Sequence, residues 1–383
     1  MSMKIVIAPD SYKESLTALA VANEIEAGFR EFFPDAHYLK LPVADGGEGT
    51  VQAMIDASGG RRIELQVTGP LGEPVAAFYG LMGDGATAVI EMAAASGLEL
   101  VPPARRNPLH TTSFGTGQLI LDALDAGARR FVLGVGGSAT NDGGAGMLQA
   151  LGGRLLDAAG ADLNAGGGAL AALARIDLSA LDTRLKDCVF DIACDVSNPL
   201  VGPQGASAIF GPQKGATPAM VEQLDANLRH YAAVIARDLG PQVAEVPGAG
   251  AGGGIGAGMM VFLGGRLRPG SEIVMAAVGL DAAVADADLV LTGEGRIDGQ
   301  TIHGKTPIGV ARVAKRHGKP VIAIAGGLAA GAAAVHEHGI DAVFGAVSRP
   351  CTVDEALADA ASNVRAAARN IAAILCLGGK LRM

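Results

Sequence analysis

The sequence predicts an α/β protein of two domains: a discontinuous Rossmann-like parallel-sheet domain built from both ends of the chain, interrupted by an inserted α+β domain. Three observations predict it. Short apolar runs alternate with helix-period segments at both ends, and the middle of the chain breaks that alternation. The 383 residues, 49% of them hydrophobic, also suffice for about two cores at a typical ~150 residues each. The crossings are expected near 66 and 270, so that 1–65 and 270–383 form the parallel-sheet domain and 66–269 the insert.

Taken in order, residues 4–8 (KIVIA) are an apolar run of the kind found in strands buried on both faces. Ser15 or Thr17 can cap the helix that follows, whose apolar face is Ala18, Val21, Ala22, Ile25, Phe29 and Phe32. Residues 38–43 give a second strand and 47–57 a second helix. Residues 63–91 read as short strands joined by turns at Gly69–Gly72 and Gly83–Gly85, followed by isolated strands at 131–135 and 188–194 among helices and Gly-rich loops. The alternation resumes with strands at 288–292, 320–325 and 341–347 and helices at 307–317, 328–338 and 353–376. Such βα alternation predicts a parallel sheet covered by helices on both faces.

Composition narrows the function. The chain has 56 Gly but no Gly-X-Y period and an ordinary 18 Pro, so the glycines belong to turns, close backbone approaches and anion-binding loops of a folded protein. A net charge of −9, no Trp and 14 Phe plus Tyr argue against a nucleic-acid partner, which would want a basic face and stacking rings. The four cysteines, Cys188, Cys194, Cys351 and Cys376, lack metal-ligand spacing and read as free thiols of a reducing compartment. The start, MSMKIVIAPD, runs straight into a strand with no expected signal peptide. The longest apolar stretch, 320–335, is Gly-broken and shorter than the ~18 residues of a membrane span. A soluble, cytoplasmic protein is expected.

Three acid-bearing loops follow strands of the terminal halves: APDSYKES (8–15), ADGGEGT (44–50) and TGEGRID (292–298). Ligands of open parallel sheets bind outside the carboxyl ends of strands, which would gather Asp10, Asp45, Glu48, Glu294 and Asp298 along one edge. Carboxylates there can hold Mg²⁺ or accept a hydroxyl proton, although Asp10 and Asp45 can equally cap helices. The insert adds SFGTGQLI (113–120), GGSATNDGG (136–144), CDVSNPLVGPQG (194–205) and FGPQKGAT (210–217). Glycines before a helix start, as in GGSATNDGG, free N–H groups to face an anion.

Two Gly patterns match known motifs in their letters but poorly in their context. Gly248-x-Gly250-x-x-Gly253 matches a dinucleotide fingerprint but follows only a short, Pro-terminated run in a glycine-dense segment. Gly299-x4-Gly304-Lys305-Thr306 satisfies the P-loop pattern, yet residues 293–299 separate it from the end of DLVLT and Pro307 falls in the first helical turn. Lys305, beside a Gly and a helix start, remains a candidate phosphate contact. The scattered histidines, and the absence of GxSxG, HRD and HExxH strings, leave carboxylates, lysines and glycine loops as the chemical equipment. Those are the parts that phosphoryl transfer needs.

The strings APDSYKESLTA, ADGGEGT, GGSATNDGG, CDVSNPL, GPQKGA, GAGAGGGIGAG and TGEGRIDGQTIHGKTP, in this order and spacing, resemble the type I glycerate kinases over nearly the whole chain. The resemblance implies a Rossmann- or flavodoxin-like domain with an inserted domain, and transfer of the γ-phosphoryl of Mg-ATP to D-glycerate, with 2-phosphoglycerate as the expected product. It also implies that the P-loop match is incidental. Tyr12 stands where this family commonly has Phe, with no expected effect on chemistry.

On that reading the substrate is expected in the cleft between the domains. Lys13 beside Ser11, and then Arg296, are candidates for the glycerate carboxylate. Asp195, which ends an apolar strand, is the first candidate for the base, with Asp298 and Asp10 also catalytic candidates. Asp45 and Glu294 are the Mg²⁺ candidates, followed by Asp298. The 248–258 loop (Gly250, Gly252, Gly253 and Gly254), Lys214 and Lys305 would hold the ATP phosphates. Phosphorylation at the 3-hydroxyl, another small hydroxyacid substrate, and a non-catalytic metabolite sensor are the alternatives. The intact set of loop acids speaks against the sensor.

Overall fold

A computed structural model of the chain describes residues 3–47 and 49–381, and Glu48 lies outside the described residues. The chain divides into two compact units, one comprising residues up to Gly59 and from Ser271 onward, the other Gly60–Gly270. The first crossing falls at Gly59 rather than near 66, because Arg61–Thr68 is a complete strand of the second unit's sheet. Residues 60–65 and Gly270 therefore lie in the second unit.

The first unit is a five-stranded sheet, parallel throughout, ordered Ala342–Gly345, Val321–Leu328, Leu289–Ile297, Lys4–Ile7, His37–Lys40. Numbered along the unit, this is the order 2-1-3-4-5 of flavodoxin-like sheets. The order reverses between Lys4–Ile7 and Leu289–Ile297, whose register pairs Ile5 with Leu289 and Ile7 with Leu291. One face carries Ile5, Ile7, Leu289, Leu291, Ile322 and Ile324, packed against Val21, Ile25 and Phe29 of the helix Ala18–Arg30 and Val364, Ala368 and Ile371 of the helix Ala360–Leu381. Burying each large side chain contributes about 1.5–3 kcal/mol. The alternate residues Val6, Val290 and Ala323 are fully buried too, so by the period-2 alternation of a strand both faces are covered. Of the two candidate caps for the first helix, Thr17 accepts the Ala20 N–H at 3.2 Å.

The second unit holds a six-stranded mixed sheet ordered Arg266–Arg268, Val189–Ala193, Arg130–Gly134, Thr87–Glu91, Pro74–Leu81, Arg61–Thr68. The last three pair antiparallel and the rest parallel. The hairpin 61–81 turns at Gly69–Gly72, where Gly69 N–H bonds Glu73 O at 2.7 Å. A separate antiparallel pair joins Arg154–Leu156 to Arg175–Asp177.

Three expected elements change. The strand expected at 288–292 runs from Leu289 to Ile297, so TGEGRI is strand rather than loop. It pairs across with Val321–Leu328, Glu294 opposite Ala325 and Arg296 opposite Gly327. Gly293 permits this approach, since a Cβ there would stand 1.9 Å from Ile324 O. The helix expected at 328–338 is a 3₁₀ segment, Ala332–His338. The helix expected at 353–376 is two, Val353–Ala358 and Ala360–Leu381. Among the described residues no helix is long and apolar enough to cross a membrane.

Candidate active site

A cavity of about 660 Å³ opens at the carboxyl ends of the first unit's strands, where the sheet order reverses, and every residue lining it belongs to that unit. Asp10 enters it three residues past the strand Lys4–Ile7, with its own N–H bonded to Gly293 O at 2.8 Å. Its carboxylate is held from two sides: one oxygen accepts the Ser11 N–H at 2.7 Å, the other the Thr306 hydroxyl at 2.6 Å. Thr306 opens the helix Thr306–Arg316, so this bond ties the helix start to the first strand's end. Burial, reinforced by the neighbouring Asp45 charge, pushes the Asp10 carboxyl up to about 6 against the pull of Thr306 and Ser11.

Glu294 is nearly buried. It accepts the Thr301 hydroxyl at 2.7 Å and faces the Lys305 ammonium at 3.7 Å. Burial raises its pKa, with Asp10 and Asp298 adding in the same direction and Thr301 and Lys305 opposing. Lys305 also reaches Asp298 at 3.9 Å, and Arg296 lies 3.5 Å from the other Asp298 oxygen. Asp45 lines the same cavity, one oxygen accepting the Gly47 N–H at 2.9 Å. Ser11, Lys13, Arg296 and Lys305 line it as well. Of the first-unit candidates, only Asp298 is set back, reaching the cavity through Lys305 and Arg296. Among the described residues no group of three or more His, Cys, Asp or Glu forms a metal cage. One or two carboxylates beside a phosphate are nevertheless the customary Mg²⁺ arrangement.

A sequence model of the glycerate kinase family matches residues 5–376. The chain belongs to the glycerate kinase family. Over 376 residues the kinase is 62% identical to the glycerate 2-kinase of Escherichia coli (strain K12), covering 98% of this chain and 99% of that protein. It is 59% identical over 375 residues to the glycerate kinase of Bacillus subtilis (strain 168), covering 98% of each. A crystal structure from Salmonella typhimurium LT2, assigned there as a glycerate kinase 2, superposes with a TM-score of 0.93 at 61% identity and full coverage of both chains.

The other candidates lie in the second unit of the kinase. The ammonium of Lys214 is buried, bonding Ser138 Oγ and Thr140 O, each at 2.7 Å. Within GGSATNDGG, expected to face a bound anion, the Gly144 N–H turns on the string's own Asp142, while the N–H groups of Ala139 and Gly143 bond Ser96 O and Gly253 O. The buried Asp142 carboxylate accepts the Gly144 N–H at 3.1 Å, the Gly146 N–H at 3.2 Å, and the N–H and hydroxyl of Ser113 at 2.9 and 2.8 Å. Gly250, Gly253 and Gly254 are buried and Gly252 half-buried. The N–H of Gly250 bonds Asn198 O at 3.0 Å, and that of Gly254 bonds Gly250 O and Ala251 O. Asp195 is exposed and accepts the Gly270 N–H at 3.1 Å.

Burial lowers the Lys214 pKa to about 7, with Asp142 opposing. Between about 7 and the ordinary lysine value near 10.4 the unfolded chain binds a proton that the folded chain lacks. The kinase is therefore expected to gain stability from this residue as pH rises through that window and to lose it as pH falls toward 7. Urea midpoints at pH 7 and 9 check this: the wild type should gain more over the interval than Lys214→Met, and equal gains would refute it.

The sequence passed over Thr301, Thr306 and Glu14. The P-loop pattern did contain Thr306. The spacing argument against that pattern fails, since the strand ends at Ile297, one residue before Asp298 and two before Gly299. Inside the pattern the chain makes a 3₁₀ turn, Thr301–His303, before the helix that opens with Thr306 and Pro307, and the side chains go from Thr306 to Asp10 and from Lys305 to Glu294 and Asp298. Glu14, lining the cavity, has φ 63°, the one positive value among the described non-glycine residues. Backbone strain of this kind concentrates at functional sites. Tyr12 donates its hydroxyl to Ile324 O at 2.7 Å.

Proposed function

We propose that the protein transfers the γ-phosphoryl group of ATP to the 2-hydroxyl of D-glycerate, yielding 2-phosphoglycerate, and that it works in the cytoplasm, a setting consistent with its four free cysteines. The observation that carries this reading is the convergence of Asp10, Asp45 and Glu294 with Lys13 and Lys305 in one cavity at the sheet's reversal point, in a member of this family. Phosphoryl transfer asks a protein for positioning and charge compensation more than for covalent chemistry.

In this reading Asp10 accepts the hydroxyl proton, a task first considered for Asp195. Thr306 and Ser11 fix its carboxylate, and a base titrating near 6 is deprotonated at neutral pH yet still basic enough to help. Lys13 and Ser11, with Arg296 behind them, receive the glycerate carboxylate. Lys305 takes the phosphates, and Asp298 restrains Lys305 and Arg296. Asp45 and Glu294 fit a Mg²⁺ ion, because the crowding and burial that raise Asp10 and Glu294 mark a surplus of negative charge that a cation relieves. When bound, the ion would neutralise phosphate oxygens. Lys214 and Gly250–Gly254 are given the task of holding the second unit together, on the strength of their burial and internal bonds.

The test is incubation with D-glycerate and Mg-ATP, with enolase alone as the coupling enzyme. Phosphoenolpyruvate should form without a mutase. ADP release without phosphoenolpyruvate would move the reaction to the 3-hydroxyl, and no ADP would end the kinase reading.

A further inference from the structure

Only part of the cavity is charged. Away from the charged groups the wall includes Leu328, Val347, Val353, Leu357 and Val364 with several alanines, and its polar side chains there include Ser15, bonded to Leu357 O at 3.2 Å, and Asn363. Leu328, Val347 and Val353 are 46%, 37% and 73% exposed, although large apolar groups gathered on one open surface ordinarily mark a binding site. Glycerate has no apolar part to cover them. The Asn363 side chain makes no hydrogen bond to the described residues.

We propose that this apolar wall receives the nucleoside end of ATP and that Asn363 reads the edge of the adenine ring, a specificity residue for the kinase reaction. The idea rests on the kinase reading. An aliphatic wall suits the faces of a purine, and a carboxamide presents one donor and one acceptor. Adenine answers with an acceptor at N7 and a donor at N6, whereas guanine offers acceptors at both N7 and O6. Facing the N7 edge of the base, the amide therefore favours adenine. The wall and the charged side chains line one cavity of about 660 Å³, within the usual range of about 300–1,000 Å³ for ligand pockets. A nucleotide with its base on the wall can place its phosphates toward Lys13 and Lys305.

Calorimetric binding to the full-length protein tests this without relying on turnover. Wild-type protein is titrated with Mg-ADP, Mg-GDP and magnesium tripolyphosphate, alongside Asn363→Ala and Val353→Ser. Both substitutions suit the fold, since Asn363 sits on a helix where alanine is favoured and Val353 is mostly exposed. The wild type should bind ADP at least tenfold more tightly than GDP. Asn363→Ala should lose about tenfold in ADP affinity and most of the discrimination, and Val353→Ser several-fold in both nucleotides. Tripolyphosphate, which has no base, should bind all three proteins alike, and the KM for glycerate should not move. Unchanged ADP affinity in both variants, or tripolyphosphate losses equal to the ADP losses, overturns the base site. A wild type that phosphorylates glycerate while the variants bind ADP normally removes this inference alone. A wild type that neither binds ADP nor phosphorylates glycerate removes the kinase reading with it.

Discussion

Asp10→Asn is expected to lower kcat by about 10²–10⁴-fold, the usual worth of a positioned general base, while leaving the protein at least as stable as the wild type at pH 7. The substitution keeps the shape that Thr306 and Ser11 hold but removes the proton acceptor. The stability half follows from the sign of the pKa shift. A carboxyl raised from 3.8 to about 6 binds its proton more tightly in the folded chain, so its contribution is fully present below about pH 4 and lost as pH rises through 6. At pH 7 the wild type carries a carboxylate that is poorly solvated and close to Asp45. The amide relieves both, a trade-off common where function needs a strained group. Because a protonated Asp10 cannot accept the hydroxyl proton, the wild-type kcat/KM for glycerate should fall on the acid side, below about pH 6 when Mg²⁺ offsets the neighbouring charge. Steady-state kinetics and urea midpoints on both proteins check the pair of expectations. Near-normal turnover in Asp10→Asn would return the base to Asp195, to be examined by the corresponding Asn substitution.

Gly253→Ala is expected to fail differently, by loss of the fold. An added Cβ would stand 1.9 Å from Thr140 O and 2.7 Å from its carbonyl carbon, both of them backbone atoms, at a φ of 75°. A side chain cannot rotate away from a backbone clash. The neighbouring backbone is further fixed by the bond from Gly143 N–H to Gly253 O at 3.1 Å. Overpacking together with the left-handed backbone should cost about 3–5 kcal/mol. The expected result is a sharply lower urea midpoint, with soluble protein recovered only at low temperature. If Gly253→Ala instead unfolded like the wild type but bound Mg-ADP weakly, the glycine run would be a phosphate loop after all.

How far the sequence reaches is visible in these two residues. Asp10 was legible because a strand ending in an acid obeys a topological rule: ligands gather where parallel strands end. The helix faces of the first unit were legible for a similarly local reason, the spacing of Val21, Ile25 and Phe29. Gly253 was not legible. A glycine that frees N–H groups for an anion and a glycine that lets two backbones touch look identical in a sequence, and the backbone of Thr140 against Gly253 is visible only in the fold. TGEGRI failed in the opposite direction, reading as a loop because glycines and charges replace the usual strand residues. Its partners at 321–328 lie far enough along the chain that no local window contains them. Lys214 carried charge that suggested a phosphate contact, whereas its partners in the fold are Ser138 and Thr140 within the same unit. The Thr306 bond to Asp10 spans nearly the whole chain, beyond any spacing argument.

The placement of the first strand has a consequence for how the chain is made. Lys4–Ile7 takes its place between His37–Lys40 and Leu289–Ile297, so its two neighbours leave the ribosome far apart in time. The stretch Gly60–Gly270 is continuous and can fold while synthesis proceeds. The amino-terminal segment must meanwhile wait with one strand edge open until Leu289–Ile297 emerges. Synthesis at about 5–20 residues per second sets that wait at tens of seconds. The long-range closure then required is slow to nucleate, and an unpaired apolar edge is the feature most prone to pairing with the wrong chain. The lysine at the start of that strand and the short length of its four residues are features that blunt such an edge during the delay.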